Sequence, residues 1–233
     1  MKTQLTLSGI ALALTASLAF TVKTNPPQGK WASLFDGKTL KGWHEYNQKG
    51  AVTDWAVENG ALVSLPPSKG KDHGYVTTDK QYANFDLKWE WKVDKGSNSG
   101  MLYHIQEEAK HHAPYETGPE YQIIDDGGFS EHLEEWQKTG ADYGMHVPND
   151  QKKLMPVGQW NTSELIFNNG HVEQWLNGKK IVEFTAWGDD WNKKRLAGKW
   201  KDYPDYGKAK TGVIAMQCEA GKVYYKNIMI KEL

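Results

Sequence analysis

Along residues 85–93, FDLKWEWKV, apolar Phe85, Leu87, Trp89, Trp91 and Val93 alternate with polar Asp86, Lys88, Glu90 and Lys92. A pleated strand sends successive side chains to opposite faces, so the segment predicts a strand with one side in a core and the other in water. Residues 163–184 repeat the pattern between turns: SELIF, then NNG, HVEQWL, NG and KKIVEF. Asn-Gly at two-residue loop spacing is a strong hairpin signal. Residues 211–233 predict a closing hairpin of GVIAMQ and VYYKNIMIKEL, in which Val223, Tyr225 and Ile228 alternate imperfectly around Lys226-Asn227. Helical periodicity is weak, with residues 130–138 the best candidate for a short helix. The stretch 187–206, WGDDWNKKRLAGKWKDYPDY, fits neither period, and loops of that length are often functional or cover a site.

Turn signals recur at Asp36-Gly37, 58–60, 96–100, 126–128, Asn168-Asn169-Gly170, Asn177-Gly178 and Ala220-Gly221. Short alternating segments between them predict an all-β fold, a two-sheet antiparallel jelly-roll sandwich over residues 31–233, with no internal repeat and no second domain.

Residues 1–19 carry Lys2 and an apolar run too short and too rich in small residues for a membrane span. They are expected to be a signal peptide cleaved near Ala19, followed by a flexible lead-in over 20–30. The expected location is therefore periplasmic or extracellular, with no membrane span. Cys218 is the single cysteine of the 233-residue chain and has no internal disulfide partner, so the fold must stand on its packed core. A net charge of −1 offers no basic stripe for nucleic acid. Eleven Trp and 11 Tyr are the compositional excess, and their flat apolar faces with polar edges suit both sandwich cores and carbohydrate binding.

The candidate chemistry centres on residues 119–126, PEYQIIDD. The pleat places Glu120, Gln122 and Ile124 on one face, with Tyr121, Ile123 and Asp125 on the other. Either this is an edge strand with one solvated side, or the polar face lines a cleft. Just upstream, Asn98 stands at the mouth of NSGMLYH, in which Met101 and Tyr103 alternate with Leu102 and His104. Asp125, Asp126 and His132 could hold a divalent cation, although aspartates beside Gly127-Gly128 are more commonly turn formers. His111 and His112 fall in a polar stretch expected to be an exposed loop and, pointing opposite ways, make a poor metal pair. GxSxG, HExxH, CxxC and phosphate-cradling glycine motifs are all missing from the sequence, which leaves carboxylate, histidine and aromatic chemistry.

SLFDGKTLKGWH (33–44), WAVENGALV (55–63), NSGMLYH (98–104), PEYQIIDD (119–126), GQWN (158–161), WLNGKK (175–180) and the terminal YYKNIMIKEL resemble, in that order, the 3-keto-disaccharide hydrolase family. The resemblance implies a concanavalin A-like jelly roll, export, and cleavage of glycosides whose C3 hydroxyl has been oxidised to a ketone. A C3 ketone acidifies the C2 proton. A general base can then start an elimination that expels the C1 substituent, and water adds afterwards. Carried over by matching blocks, Glu120 is an acid/base or cation ligand and His132 a second catalytic candidate. Asn98, Tyr103, His104, Gln122, Asp125 and Gln217 are carried over as substrate contacts. Trp175, Asn177 and Lys180 match the hairpin motif, where the tryptophan stacks on sugar or, as the better expectation, packs the core.

Two positions depart from the family pattern. Relatives often carry Leu-Gln-Asp-His-Gly near the C-terminus, whereas this chain has Met216-Gln217-Cys218-Glu219-Ala220-Gly221, and His104 replaces a frequent arginine. A retaining glycosidase would need two carboxyl groups about 5 Å apart. The position two beyond Glu120 is Gln122, so a second carboxylate would have to come from another strand. The rival readings are a non-catalytic carbohydrate-binding module and a conventional glycosidase of the same fold. Oligomeric state is not legible.

Overall fold

The computed structural model describes residues 29–48, 50–65 and 74–233, so the expectations for the signal peptide and most of the lead-in lie outside the described residues. The first seven strands are β1 (Trp31–Ser33), β2 (Trp43–Glu45), β3 (Trp55–Glu58), β4 (Ala61–Ser64), β5 (Gly74–Thr78), β6 (Phe85–Val93) and β7 (Asn98–Ile105). They are followed by β8 (Glu120–Ile124), β9 (Asn161–Asn168), β10 (His171–Leu176), β11 (Lys179–Thr185), β12 (Val213–Cys218) and β13 (Val223–Glu232). One sheet runs β11-β10-β9-β6-β13-β4-β3, with β1 also on β13, and the other runs β2-β5-β12-β7-β8. All pairings are antiparallel, and the two-sheet sandwich expected from the alternation is what forms.

The core lies between the sheets. The apolar side of β6, Phe85 to Val93, meets Met101, Tyr103, Tyr121, Ile123 and Met216 from the smaller sheet. A chain of hydrogen bonds crosses this layer: the Trp91 indole donates to Ser163 Oγ (2.9 Å), Ser163 to the Tyr121 hydroxyl (2.9 Å), and Tyr121 to the Trp175 carbonyl (3.1 Å). Because Tyr121 and Ile123 point inward, Glu120 and Gln122 point out of the sandwich, on the face of the small sheet away from the core.

Two expectations need correction. The last two strands do not form a hairpin: β12 sits between β5 and β7, whereas β13 belongs to the other sheet and pairs with β1, β4 and β6. Alternation within each strand cannot say which sheet it joins. The break at Lys226-Asn227 is a bulge, with Asn227 at φ 50°. The α-helix also lies elsewhere. Residues 130–138 hold only a 3-10 turn, Glu135–Gln137, while α1 spans Asp189–Ala197. Asp189 and Asp190 at its start and Lys194 and Arg195 in its last turn complement the helix dipole, but it buries only Trp191, so it has no apolar stripe to read.

His104 shows the cost of a bulge to pattern reading. Between Leu102 and Ile105, β7 holds one residue more than β12 does between Ala215 and Val213, and His104 takes φ 56°. Tyr103 and His104 therefore both face the core. The imidazole is 2% exposed, lies 4.4 Å from the Phe167 ring centroid and is within 2.8 Å of the Ala83 carbonyl, which fixes a neutral tautomer with the proton on Nε2. Burial pushes it down to about 4. Its folded value lies below its unfolded one near 6.5, so the unfolded chain binds more protons between them, and this contribution to stability is lost as pH falls from about 6.5 through 4. The loss should be on the order of 3 kcal/mol. Urea melts of wild type and His104→Phe across that window test this: the variant should show a shallower acid decline, and an unchanged decline would remove His104 as its cause.

Candidate active site

Glu120 and Gln122 on β8 and Gln217 on β12 form the floor of a cleft, with Tyr115, Tyr143, Lys199, Tyr203 and Glu219 around it; the cavity holds about 160 Å³. Strand β8 is the edge of its sheet, but residues 140–143 cover it. Gly140 N donates to the Gln122 carbonyl, Gln122 N to Ala141, and Tyr143 N to the Glu120 carbonyl (3.0 Å). That pairing holds Tyr143 next to Glu120. On the other side Gly100 is opposite Gln122 on β7, and the Glu120 side chain lies across it: a methyl group at Gly100 would meet Glu120 Oε1 at 1.9 Å.

The irregular stretch after β11 supplies the far wall. Following α1, Lys199–Asp202 form a 3-10 turn anchored by Trp200, which is fully buried, stacks on Tyr206 at 4.0 Å and donates its indole N–H to the Tyr143 carbonyl (2.9 Å). Fixing Trp200 places its neighbour Lys199 over the cleft aromatics, with Nζ 4.5 Å from the Tyr143 ring centroid and 5.5 Å from that of Tyr115. Tyr203 meets Tyr115 edge to face at 5.7 Å. His111 and Lys110 tie the Tyr115 segment to this wall through Asp205, at 3.5 Å and 3.0 Å. His111 is thus buried, not exposed as its loop suggested.

Glu120 is 6% exposed and accepts no hydrogen bond from the described residues. Burial, followed by the Glu219 carboxylate, raises it to about 8 against the opposing pull of Lys199. Burial pushes Lys199 down, while Glu120 and Glu219 hold it up. Gln217 Nε2 donates to Glu219 Oε2 (2.9 Å), and the Gln122 amide spans the Gln137 carbonyl (3.0 Å) and the Ile123 N–H (3.1 Å). The cleft therefore presents one high-pKa carboxylate, a second carboxylate held by an amide, one ammonium and three tyrosines. That set can move a proton and receive negative charge.

Of the residues singled out in the sequence, Glu120, Gln122 and Gln217 meet here. The others stand elsewhere. Tyr103 and His104 face the core, and Asn98 shares the cleft's sheet face beyond Gly100 with its buried Oδ1 unpartnered. Asp125 shapes a turn by accepting N–H bonds from Gly96, Gly127 and Gly128. His132 is 87% exposed with Glu134 at 3.8 Å, and Asp126 pairs with Lys152 at 2.6 Å, so Asp125, Asp126 and His132 do not converge on a cation. Trp175 and Lys180 lie on the outer face of the larger sheet, across the sandwich from the cleft; Trp175 is half-buried there with its indole on Glu173 (2.8 Å), not in the core. Among the described residues His171, Glu173 and Glu183 bring ligand atoms within 4.8 Å on that same outer face, but Lys180 already pairs with both glutamates. Tyr115, Tyr143, Lys199 and Tyr203 were missed, although the aperiodic stretch 187–206 pointed to the wall that carries two of them.

Residues 30–231 match the 3-keto-alpha-glucoside-1,2-lyase-like domain family. The chain belongs to this family. A 3-keto-disaccharide hydrolase of Bacteroides thetaiotaomicron is 28% identical over 87% of this chain and 78% of its own length. A crystal structure from Parabacteroides distasonis, of a protein provisionally described as a glycosyl hydrolase, superimposes with a TM-score of 0.81 at 44% identity, covering 88% of this chain and 94% of that one. A second structure from the same organism shares the fold at 24% identity and a TM-score of 0.68, with 88% and 100% covered. Family membership and these relatives indicate a glycosyl hydrolase of the 3-keto-disaccharide hydrolase type, acting on carbohydrate.

Proposed function

We propose that the protein is an exported enzyme that cleaves 3-keto-glycosides by elimination and hydration, with Glu120 as the general base. The observation that carries this reading is the state of Glu120: a buried carboxylate that accepts no hydrogen bond from the described residues, raised to about 8, opening into the cleft. A base with that affinity for protons is suited to the weakly acidic C–H beside a ketone. Glu120 takes the C2 proton, and the C2–H electron pair becomes the enolate of the C3 ketone. When the carbonyl re-forms, C1=C2 forms and the C1–O bond breaks, with the leaving oxygen taking a proton. Water then adds to C1 and a proton returns to C2, giving net hydrolysis.

Glu219 favours a second reading. It is a carboxylate from another strand's end in the same cleft, which a conventional glycosidase would require. Incubating the protein with a 3-keto-disaccharide and its unoxidised parent separates the two. The elimination reading expects loss of the keto compound alone, and turnover of the parent at a comparable rate would replace it with the two-carboxylate mechanism.

A further inference from the structure

The elimination leaves one requirement unassigned, a partner for the negative charge that develops on the C3 oxygen. We propose that Lys199 is that partner, the catalytic residue that receives the enolate oxygen; this rests on the elimination reading above.

Lys199 borders the cleft with Glu120, yet no carboxylate among the described residues lies within 4 Å of its Nζ to neutralise it. Instead the ammonium rests among ring faces, 4.5 Å from Tyr143, 4.9 Å from Trp200 and 5.5 Å from Tyr115. Ring faces hold a cation without consuming its three N–H donors, which stay available to a ligand. The charged groups bordering the cleft around it are Glu120 and Glu219, with the hydroxyls of Tyr115, Tyr143 and Tyr203. Glu219 has its Oε2 engaged by Gln217. The Glu120 carboxyl and the Lys199 ammonium therefore face the cleft from two walls, the first, once ionised, positioned to remove a proton and the second to meet the charge that removal creates.

Its mounting supports a precise role. The Trp200 indole bond to the Tyr143 carbonyl and the Trp200–Tyr206 stack fix the backbone beside Lys199, and that carbonyl belongs to the residue whose N–H pairs with the Glu120 carbonyl. Base and cation are thus joined through a single residue, Tyr143, and a preorganised donor stabilises developing charge without reorganisation at the moment of reaction. Methionine at 199 preserves the stem's packing and removes the charge, whereas arginine keeps a charge of different shape.

The test compares wild type, Lys199→Met and Lys199→Arg on a 3-keto-disaccharide and on an aryl 3-keto-glucoside whose p-nitrophenolate needs no proton to leave. Lys199 holds Glu120 down, so its removal should move the acid limb of kcat/KM to higher pH, and rates are compared on the high-pH plateau to exclude that effect. The expected result is a loss of about 100-fold or more in kcat for Lys199→Met on both substrates, partly recovered in Lys199→Arg. Exchange of the C2 hydrogen with D2O should slow in parallel. A defect confined to the disaccharide would overturn the assignment, because Lys199 would then serve the leaving oxygen. So would a Lys199→Met enzyme with wild-type rates. If wild type itself leaves both keto substrates intact, the elimination reading fails first, which is a different outcome.

Discussion

Glu120→Gln is expected to lower kcat/KM for a 3-keto-disaccharide by about 100-fold or more while leaving the protein folded. Glutamine keeps the shape and loses the ability to take a proton. For wild type the same carboxylate predicts an acid limb: kcat/KM should rise with pH and level off above about 8, because only the ionised form is a base. The stability response has the opposite sign. Glu120 is raised in the fold, so between its unfolded value of 4.5 and about 8 the native chain binds more protons than the unfolded one, and its contribution declines as pH rises through that window. Removing the charge relieves that decline, so Glu120→Gln should be more stable than wild type at pH 8 and no more stable at pH 4. Lost activity together with raised stability at alkaline pH marks a group held in an unfavourable state for function. A variant with near wild-type turnover removes Glu120 from the base role.

The fold was legible because alternation reports directly on burial. In β6 the apolar side of FDLKWEWKV is the side that packs between the sheets, and the Asn168-Asn169-Gly170 and Asn177-Gly178 turns join β9, β10 and β11 as the pattern required. Partnership between sheets was not legible, since β12 and β13 look like a hairpin locally and separate only because β13 is claimed by β6 and β12 by β5 and β7. The site divided along the same line. Glu120 and Gln122 could be placed because a pleat fixes their face. Lys199 and Tyr203 could not, since their positions depend on Trp200 and Tyr206 stacking within a stretch that has no period. His104 and Trp175 failed for specific reasons: a bulge turned the histidine inward, and the tryptophan occupies the solvent side of a strand whose inward positions are Val172, Gln174 and Leu176. Residues carried over from a family motif share a stretch of chain, and a strand distributes such a stretch over two faces.

Gly100→Ala should produce the second large loss, although it replaces no group that reacts. A methyl group there would lie 1.9 Å from Glu120 Oε1, 2.6 Å from its carboxyl carbon and 2.8 Å from Cγ, so the whole carboxylate arm must move. Gly100 has no positive φ and alanine suits a strand better, so the backbone tolerates the change and the strain falls on the Glu120 side chain. A displacement near 1 Å in a reacting group can cost about 100-fold, and a loss of that order in kcat is expected with only a modest change in melting temperature. The decisive comparison is a double-mutant cycle. If Gly100 acts by seating Glu120, then Gly100→Ala adds little once Glu120→Gln has already removed the base, and the two losses are strongly non-additive. Full additivity would mean that the methyl group harms the cleft by some other route, such as excluding substrate, and that the bare backbone at Gly100 is not what positions the base.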